Sequence, residues 1–337
     1  MATPLVSVIV TTYNQEDTIS RTLDSILTQE RDFDIEIIIG EDCSTDNSLK
    51  ICREYAKSYP GIIRLSANNP NKGIVDNYFD CLLECRGRYI ADCAGDDWWT
   101  DPCKLQKQVA VMESSPGISL VHTDWNYYDT STGNITPSDP KSRLAPFRQP
   151  LMDGKELLLH ILRRDAPVII HSCTAMYRRD MIMEAYREDT SMFRNKEFTC
   201  EDIQLEAALC SKGDIAFLPD NTLNYSIGHD SISSDRDYDK TFCFYLGTIR
   251  LNRYLEHKYN IPRQELNEYY CKNLHFVFSQ AFYALNPHNR RTFIDFVSSS
   301  NLPLGKKTKI LIFLSSFKPL WRISVWCKRN ILGIKGH

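Results

Sequence analysis

The sequence predicts an α/β protein with a mostly parallel central sheet and a helical extension toward its C-terminal end. Two patterns carry that prediction. Five short apolar runs, LVSVIV at 5–10, IEIII at 35–39, IIRL at 62–65, RYIADC at 88–93 and ISLVHT at 118–123, have the length of buried strands. Segments of helical periodicity separate them, and strict alternation of this kind belongs to parallel, nucleotide-binding sheets. The first helix is expected to present Ile19, Leu23, Ile26 and Leu27 on one face, the second Leu49, Cys52 and Ala56, and the third Ile74, Tyr78, Cys81 and Leu82. A fourth, with Pro102 in its first turn, carries Leu105, Val109 and Met112. Beyond residue 125 the alternation loosens. Residues 126–150 read as a loop rich in Thr, Ser, Pro, Gly and Asp, Gly154 to Leu162 as a helix, and Val168 to Tyr177 as a strand. From Tyr238 to about Tyr283 the pattern is helical, and a final helical, basic segment begins at 306.

With 42% hydrophobic and 25% charged residues among 337, the chain has a globular composition that excludes long disorder and fibrous repeats. The apolar run Leu5 to Val10 follows no basic segment and is too short for a signal-peptide core or a membrane span, so folding is expected to begin in the cytosol. Twelve cysteines lie scattered without a CxxC pair and are expected to be reduced core residues. The net charge of −3 conceals an asymmetry, because no acid follows Asp295 while Lys306, Lys307, Lys309, Lys318, Arg322, Lys328, Arg329 and Lys335 do. The body before this tail is therefore acidic, which is unsuited to general nucleic-acid binding.

Three loops at successive strand ends carry polar groups. After the first strand come Thr11, Thr12, Tyr13 and Asn14, with hydroxyls and an aromatic face suited to a base and ribose; Asn14 would equally serve as a helix cap. After the second come Glu41, Asp42, Cys43 and Ser44, where a carboxylate can accept from a base imide or simply close an Asx turn. After the fourth come Asp96 and Asp97, placed to face a phosphate-bound metal or to form a solvated acidic turn beside the cap Asp101.

In order and spacing, VSVIVTTYNQEDTISRTLDSILTQ, EIIIGEDCSTDNS, NPNKGIVDNY and GRYIADCAGDDWWTDPCKLQKQV resemble glycosyltransferase family 2, the inverting nucleotide-sugar transferases of the GT-A fold. The resemblance runs from residue 5 to about 230 and implies three regions. Residues 1–125 would form the nucleotide-sugar-binding half and 126–235 the acceptor-binding and catalytic-base half of one GT-A domain, with 236–337 the helical extension and its basic amphipathic tail. It implies that Thr11, Tyr13 and Asp42 bind the nucleobase and ribose of a UDP-sugar, with Asn14, Gly73 and Gly95 also among the residues that bind this donor. Asp96 would hold Mg²⁺ or Mn²⁺ against the diphosphate with Asp97 beside it, and His229, in YSIGHDSIS, would contact phosphate or metal. In the acceptor half, Asp202 would be the catalytic base, with Glu201 next to it, although Thr199 and Asp202 also have capping-box spacing. One departure stands out. The family's acidic triplet begins with a carboxylate, whereas here it is Ala94, Gly95, Asp96.

An inverting transfer needs one base and one cation, since the acceptor hydroxyl displaces the diphosphate in a single in-line step. No Gln-x-x-Arg-Trp run is present, which favours single additions over processive synthesis. A dehydrogenase would need a GxGxxG after an early strand, and a nucleotidyltransferase a basic glycine-rich loop; neither is present. A noncatalytic sugar-nucleotide-binding protein remains the alternative, on account of Ala94. The tail, whose longest apolar stretch is Ile310 to Leu314, is too short to cross a bilayer. Its basic residues flank Trp321 and Trp326, which suits the surface of a membrane holding anionic lipids, the competing possibility being a helix packed on the acidic body. A glycan or lipid-linked glycan acceptor, at the inner face of a bacterial membrane in surface-polysaccharide synthesis, is the expectation that follows.

Overall fold

The early apolar runs form strands Val6–Thr12 (β1), Ile35–Glu41 (β2), Ile63–Ala67 (β3), Tyr89–Asp92 (β4), the short Trp98–Trp99 (β5) and Ile118–Asp129 (β6). Helices Ile19–Leu27 (α1), Ser48–Ser58 (α2), Ile74–Glu84 (α3) and Lys104–Ser114 (α4) separate them. In β2 and β4 every residue is buried, and in β1 all but Thr11. A strand with no exposed face must be covered on both sides, which is why these runs are continuous and not alternating. The computed structural model describes residues 3–139, 141–166, 168–228 and 237–330. They fall into two compact units, Met1–Asn195 with Cys200–His229, and Lys196–Thr199 with Asp230–His337.

In the first unit the chain continues through Ile135–Pro137 (β7), Leu151–Met152 (β8), Gly154–Arg163 (α5), Met176–Arg178 (β9), Arg179–Glu188 (α6), Thr190–Arg194 (α7), Asp202–Lys212 (α8) and Asp214–Ile227 (β10). One ten-stranded sheet collects the strands in the order β3-β2-β1-β4-β9-β6-β10-β5, with β7 on β6 and β8 on β10. The pairs β3-β2, β2-β1, β1-β4 and β6-β10 are parallel, and β9 runs antiparallel between β4 and β6. The chain thus leaves β1 toward β2 and β3 on one side and returns to β4 on the other. That reversal opens a crevice at the carboxyl end of β1, where open α/β sheets hold their ligands.

Three sequence expectations need correction. The region 126–150 is not all loop, because β6 runs on to Asp129 and pairs with β7. The strand expected at 168–177 shrinks to Met176–Arg178, preceded by a 3-10 turn at Ser172–Thr174. YSIGHDSIS, which resembles the family's loop over the diphosphate, begins not as a loop but as the last residues, Tyr225 to Ile227, of the 14-residue β10. Pro219, Asp220 and Asn221 conceal this strand in the sequence; a register shift between Leu218 and Asn221 absorbs them.

The second unit is helical, with Tyr238–Lys258 (α9), Arg263–Tyr283 (α10), Pro287–Ser300 (α11), Lys306–Ser315 (α12) and Lys318–Asn330 (α13). Its core gathers Leu246, Leu255, Tyr270, Phe278, Phe282 and Phe293, and Trp321 of α13 joins it by donating Nε1–H to the Phe282 carbonyl at 2.7 Å. Glu256, 4% exposed, is tied by Tyr270 Oη at 2.6 Å and Arg253 at 3.1 Å. Among the described residues no helix is long and apolar enough to cross a membrane.

Two buried carboxylates in the sheet behave in opposite ways. Glu36 of β2 accepts from Ser7 Oγ at 2.6 Å, Arg86 N at 2.6 Å and Arg86 Nε at 2.8 Å. Burial pushes its pKa up, but these bonds outweigh burial and hold it below the usual carboxylate range. Asp92 of β4 has, among the described residues, only the hydroxyls of Tyr78, at 3.0 and 3.1 Å, and Tyr177, at 3.4 Å. Burial, with the charge of Asp202, pushes its carboxyl up to about 8 against the Tyr78 bonds. The lowered group stabilises the fold above the unfolded carboxylate pKa and loses that contribution as pH falls; the raised group costs stability as pH climbs from about 4 toward about 8. Urea unfolding should therefore show Glu36→Gln less stable than wild type by about 2 kcal/mol at neutral pH. Asp92→Asn should gain on wild type by up to about 1.4 kcal/mol per pH unit between about pH 5 and about pH 8.

Candidate active site

The end of β1 is gripped from both sides. Thr12 O accepts from Asp42 N at 3.0 Å, and Thr11 O accepts from Gly95 N at 3.0 Å, so the loops after β2 and β4 are fastened to the same two residues. Beyond this point the chain turns through Asn14 at φ +53° and, after β2, through Cys43 at φ +63°. The two loops then interlock. Thr45 N donates to Asn14 Oδ1 at 2.8 Å, Ser44 Oγ accepts from Asn14 N at 3.0 Å, and Glu16 and Asp46 each accept from a backbone N–H of the opposite loop at 3.0 Å. Asn14 is thereby committed to the loop junction, where its side chain holds a turn. Tyr13 is left with its ring 48% exposed at the mouth of the crevice, and Thr11 half-buried beside it.

Asp42 organises the next wall. It is 4% exposed; Oδ1 accepts from Asn68 Nδ2 at 2.9 Å and Lys72 N at 2.8 Å, and Oδ2 from Gly73 N at 2.9 Å. A carboxylate offers about four acceptor positions, so about one remains for a further donor. Gly73 sits at φ +83° with open space where a Cβ would be, so its conformation and not crowding calls for glycine. At Gly95 crowding does. A Cβ there would lie 2.4 Å from Gln15 Oε1 and 2.9 Å from Thr12 Cβ, so only a glycine lets this loop close on β1.

The two acids after Gly95 part company. Asp96 is half-buried at the loop's surface, and its carbonyl accepts from Ser226 Oγ at 2.6 Å and Arg21 Nη2 at 3.3 Å. The Arg21 guanidinium lies 3.5 Å from the ring centre of Trp98, which meets Tyr128 edge-on at 4.9 Å. Asp97 is wholly buried, and its Oδ1 accepts from Ser226 N at 2.9 Å, clamping the loop to β10. Burial first, and then the charge of Asp96, push its carboxyl well up. Asp97, grouped with Asp96 by sequence, is therefore a brace beneath the loop. Beneath it too is Lys104, fully buried, with Nζ 4.2 Å from the Trp99 ring centre and 2.7 Å from Gln108 Oε1; burial lowers it to about 8.

The opposite wall comes from the turn before β9, from the start of α8 and from the end of β10. Glu201 and Asp202 open α8 without any side-chain cap, and Thr199 donates instead to the Phe244 carbonyl at 2.9 Å, so the capping box allowed by the spacing does not form. Both carboxyls are half-buried and raised by burial. For Asp202 a hydrogen bond from Ser172 and the charge of Arg164 oppose the rise, whereas Glu201 is pushed further by Asp202 itself. The charge of Asp202 thus favours the protonated form of Glu201, while the Ser172 bond and Arg164 favour the charged form of Asp202.

His171 and Tyr225 meet within this wall. Their rings lie 4.5 Å apart. Burial raises the Tyr225 hydroxyl, and the charges of Asp97, Asp96 and Asp202 add to that, so this one phenol senses all three carboxylates. Burial lowers His171 to about 4 despite the charge of Asp96. Its Nδ1 accepts from Cys173 N at 3.3 Å, which leaves the proton of the neutral ring on Nε2. Tyr225 was missed as a site residue because its strand is hidden by Pro219, and Arg21 and Trp98 because nothing in their spacing shows that they stack. His229 lies outside the described residues.

Among the described residues no group of three or more His, Cys, Asp or Glu is arranged to hold a metal ion. With Asp97 enclosed and His171 presenting a proton, the donor set left in the loop after β4 is the half-buried Asp96. That set fits a hard divalent cation shared with a ligand's phosphates, since Mg²⁺ needs only one or two carboxylates and keeps waters for the rest.

The family model for Glycosyl transferase family 2 matches residues 7–185. Among curated proteins, the uncharacterized protein Rv1520 of Mycobacterium tuberculosis is 43% identical over 110 residues, 33% of this chain and 32% of that one. The putative glycosyltransferase EpsE of Bacillus subtilis is 35% identical over 154 residues, covering 45% and 55%. The Escherichia coli protein WfaP, a UDP-Glc:α-D-GlcNAc-diphosphoundecaprenol β-1,3-glucosyltransferase, is 38% identical over 124 residues, covering 37% and 46%. The chain thus spans from about a third to just over half of the length of these relatives. Crystal structures of S. aureus TarS 1–349 with UDP and with UDP-GlcNAc, 19% and 18% identical, align over 96% of this chain and 91% of theirs with a TM-score of 0.59. They share its GT-A fold. The order of the strands, the loops joined at the end of β1 and the family match over more than half of the chain place this protein in glycosyltransferase family 2.

Proposed function

We propose that this family member is an inverting transferase that moves a sugar from a UDP-sugar to a hydroxyl of a glycan or lipid-linked glycan acceptor, working peripherally at the inner face of the cytoplasmic membrane in bacterial surface-polysaccharide synthesis. The reading is supported by the family match and by the loops of Asp42 and Asp96, both fastened to the end of β1, with Ser226 of β10 bonded to the Asp96 loop beside Tyr225. The UDP complexes of TarS and the lipid-diphosphate acceptor in the name of WfaP support this choice of donor and acceptor class.

The uracil and ribose would lie between Tyr13 and Asp42, the remaining acceptor position of Asp42 taking the imide N–H. Asp96 would hold Mg²⁺ or Mn²⁺, whose chemistry is to neutralise the leaving diphosphate. Asp202, oriented by Ser172, would remove the proton of the acceptor hydroxyl as that oxygen attacks the anomeric carbon. Its raised pKa makes it a stronger base than an exposed aspartate while leaving it ionised above that pKa. Glu201, holding its proton, would keep a second negative charge away from the base. Ala94 favours one other reading, a protein that binds the donor without turnover, which would show donor binding with no nucleotide released.

Asp202→Asn should lower kcat by about 100-fold or more with far-UV circular dichroism unchanged. The wild-type kcat should rise with pH along an acid limb above the ordinary aspartate range, and that limb should vanish in the variant; equal turnover in both would place the base elsewhere. Release of UDP from a panel of UDP-sugars should stop in excess chelator and fall sharply in Asp96→Ala. Activity that persists in either would remove the metal role. Gly95→Ala should raise the donor KM several-fold, because the new methyl group forces the Asp96 loop off β1.

A further inference from the structure

Helix α12 leaves much of its apolar surface outside. The residues it buries fully are Thr308 and Ser315, with Leu311 and Ile312 half-buried on the same face, and the residues it exposes include Ile310 and Phe313. The polar groups of the inner face are satisfied by neighbours in the helical unit. Thr308 Oγ1 lies 3.3 Å from His275 Nδ1, and Arg290 donates to Ser315 Oγ at 2.8 Å and Ser316 Oγ at 2.9 Å. A helix in contact with water normally carries the reverse pattern. Helix α13 is apolar on two opposite faces. Trp321 and Val325 fill the core of the unit, while Leu320, Ile323 and Trp326 point outward and Phe317 lies 5.5 Å from Phe313. Ile310, Phe313, Phe317, Leu320, Ile323 and Trp326 are between 44% and 61% exposed and fall within 17 residues of sequence. Around them Lys306, Lys307, Lys309, Lys318 and Arg322 are all exposed, and no acid follows Asp295.

We infer that this outer face of α12 and α13 is a membrane-binding surface that inserts its aromatic and aliphatic side chains among the headgroups of an anionic bilayer. Charge complementarity selects the occupant. A second copy paired about a two-fold axis would bring like-charged basic rims together, whereas anionic lipids meet apolar side chains and lysines in one surface. The inference rests on the peripheral placement proposed above and names the surface responsible, but it does not depend on the transfer chemistry.

Flotation of the full chain should show binding to vesicles of phosphatidylcholine containing phosphatidylglycerol and much weaker binding to phosphatidylcholine alone. Phe313→Asp with Trp326→Asp, both at exposed positions, should lower binding by about tenfold or more at unchanged thermal stability. Replacing Lys306, Lys307 and Lys309 by Gln should weaken binding only to the anionic vesicles, and added salt should do the same to wild type. Acyl-brominated lipid should quench part of the wild-type tryptophan emission and less of it in Trp326→Phe. Absence of wild-type binding, or equal binding by the double variant, overturns the assignment. So does sedimentation showing that the same variant abolishes self-association in the absence of lipid, which would make a second copy the occupant. Nucleotide release from soluble donor, measured on the same proteins, should be unaffected by the substitutions. Vesicle binding by a wild type that turns over no donor would leave the surface standing and remove the transferase reading.

Discussion

The reversal of strand order at β1 is the constraint on which the site depends. Because β2 lies on one side of β1 and β4 on the other, the loops that follow these strands leave the sheet next to each other, and both bond to the carbonyls of Thr11 and Thr12. Residues far apart in the chain thus become walls of one crevice. The glycine at 95 is what permits the close approach, and the carboxylate at 42 holds the remaining wall by three hydrogen bonds. Buried backbone groups must find partners, and here the partners are the loops themselves.

The unit uses its acids in three different ways. Glu36 is paired and hydrogen-bonded, and it fastens the strand ends remote from the crevice. Asp92 and Asp97 are buried with few donors and are driven toward the neutral form, Asp97 serving at the same time as the clamp between the Asp96 loop and β10. Asp96 and Asp202 stand at the surface of the crevice, where a charged group can meet a ligand. The contrast has one physical source. A carboxylate keeps its charge in a low-dielectric interior only when donors replace the lost water.

The helical unit poses the complementary case, in which apolar groups remain in water while polar ones are buried. Thr308 and Ser315 pack inward because His275 and Arg290 supply hydrogen bonds there, and that orientation obliges Ile310 and Phe313 to face out. In α13 the anchor is Trp321, whose indole N–H needs the Phe282 carbonyl and so fixes which of two apolar faces turns inward.

Much of the fold was legible in the chain. Continuous apolar runs identified β1, β2 and β4, because strands buried on both faces need no alternation, and shorter apolar runs identified β3 and the start of β6, while helical periodicity identified the helices between them. The loop acids at 42, 96 and 202 were legible for the same reason, since they stand directly after recognisable strands or before a recognisable helix. What the sequence could not show was pairing. Strand β10 is interrupted by Pro219 and Asp220, and only its register along β6, with a bulge to absorb the interruption, makes it a strand that carries Tyr225 and Ser226 to the acids. Adjacent Asp96 and Asp97 look alike in sequence, and only the tertiary structure, in which Ser226 N bonds the Asp97 carboxylate, separates the half-buried one from the buried one. The tail shows the same division. Its basic, aromatic composition was plain from the residues, but which apolar side chains are spent on the core and which are left outside was decided by tertiary hydrogen bonds, which depend on neighbours that periodicity does not encode.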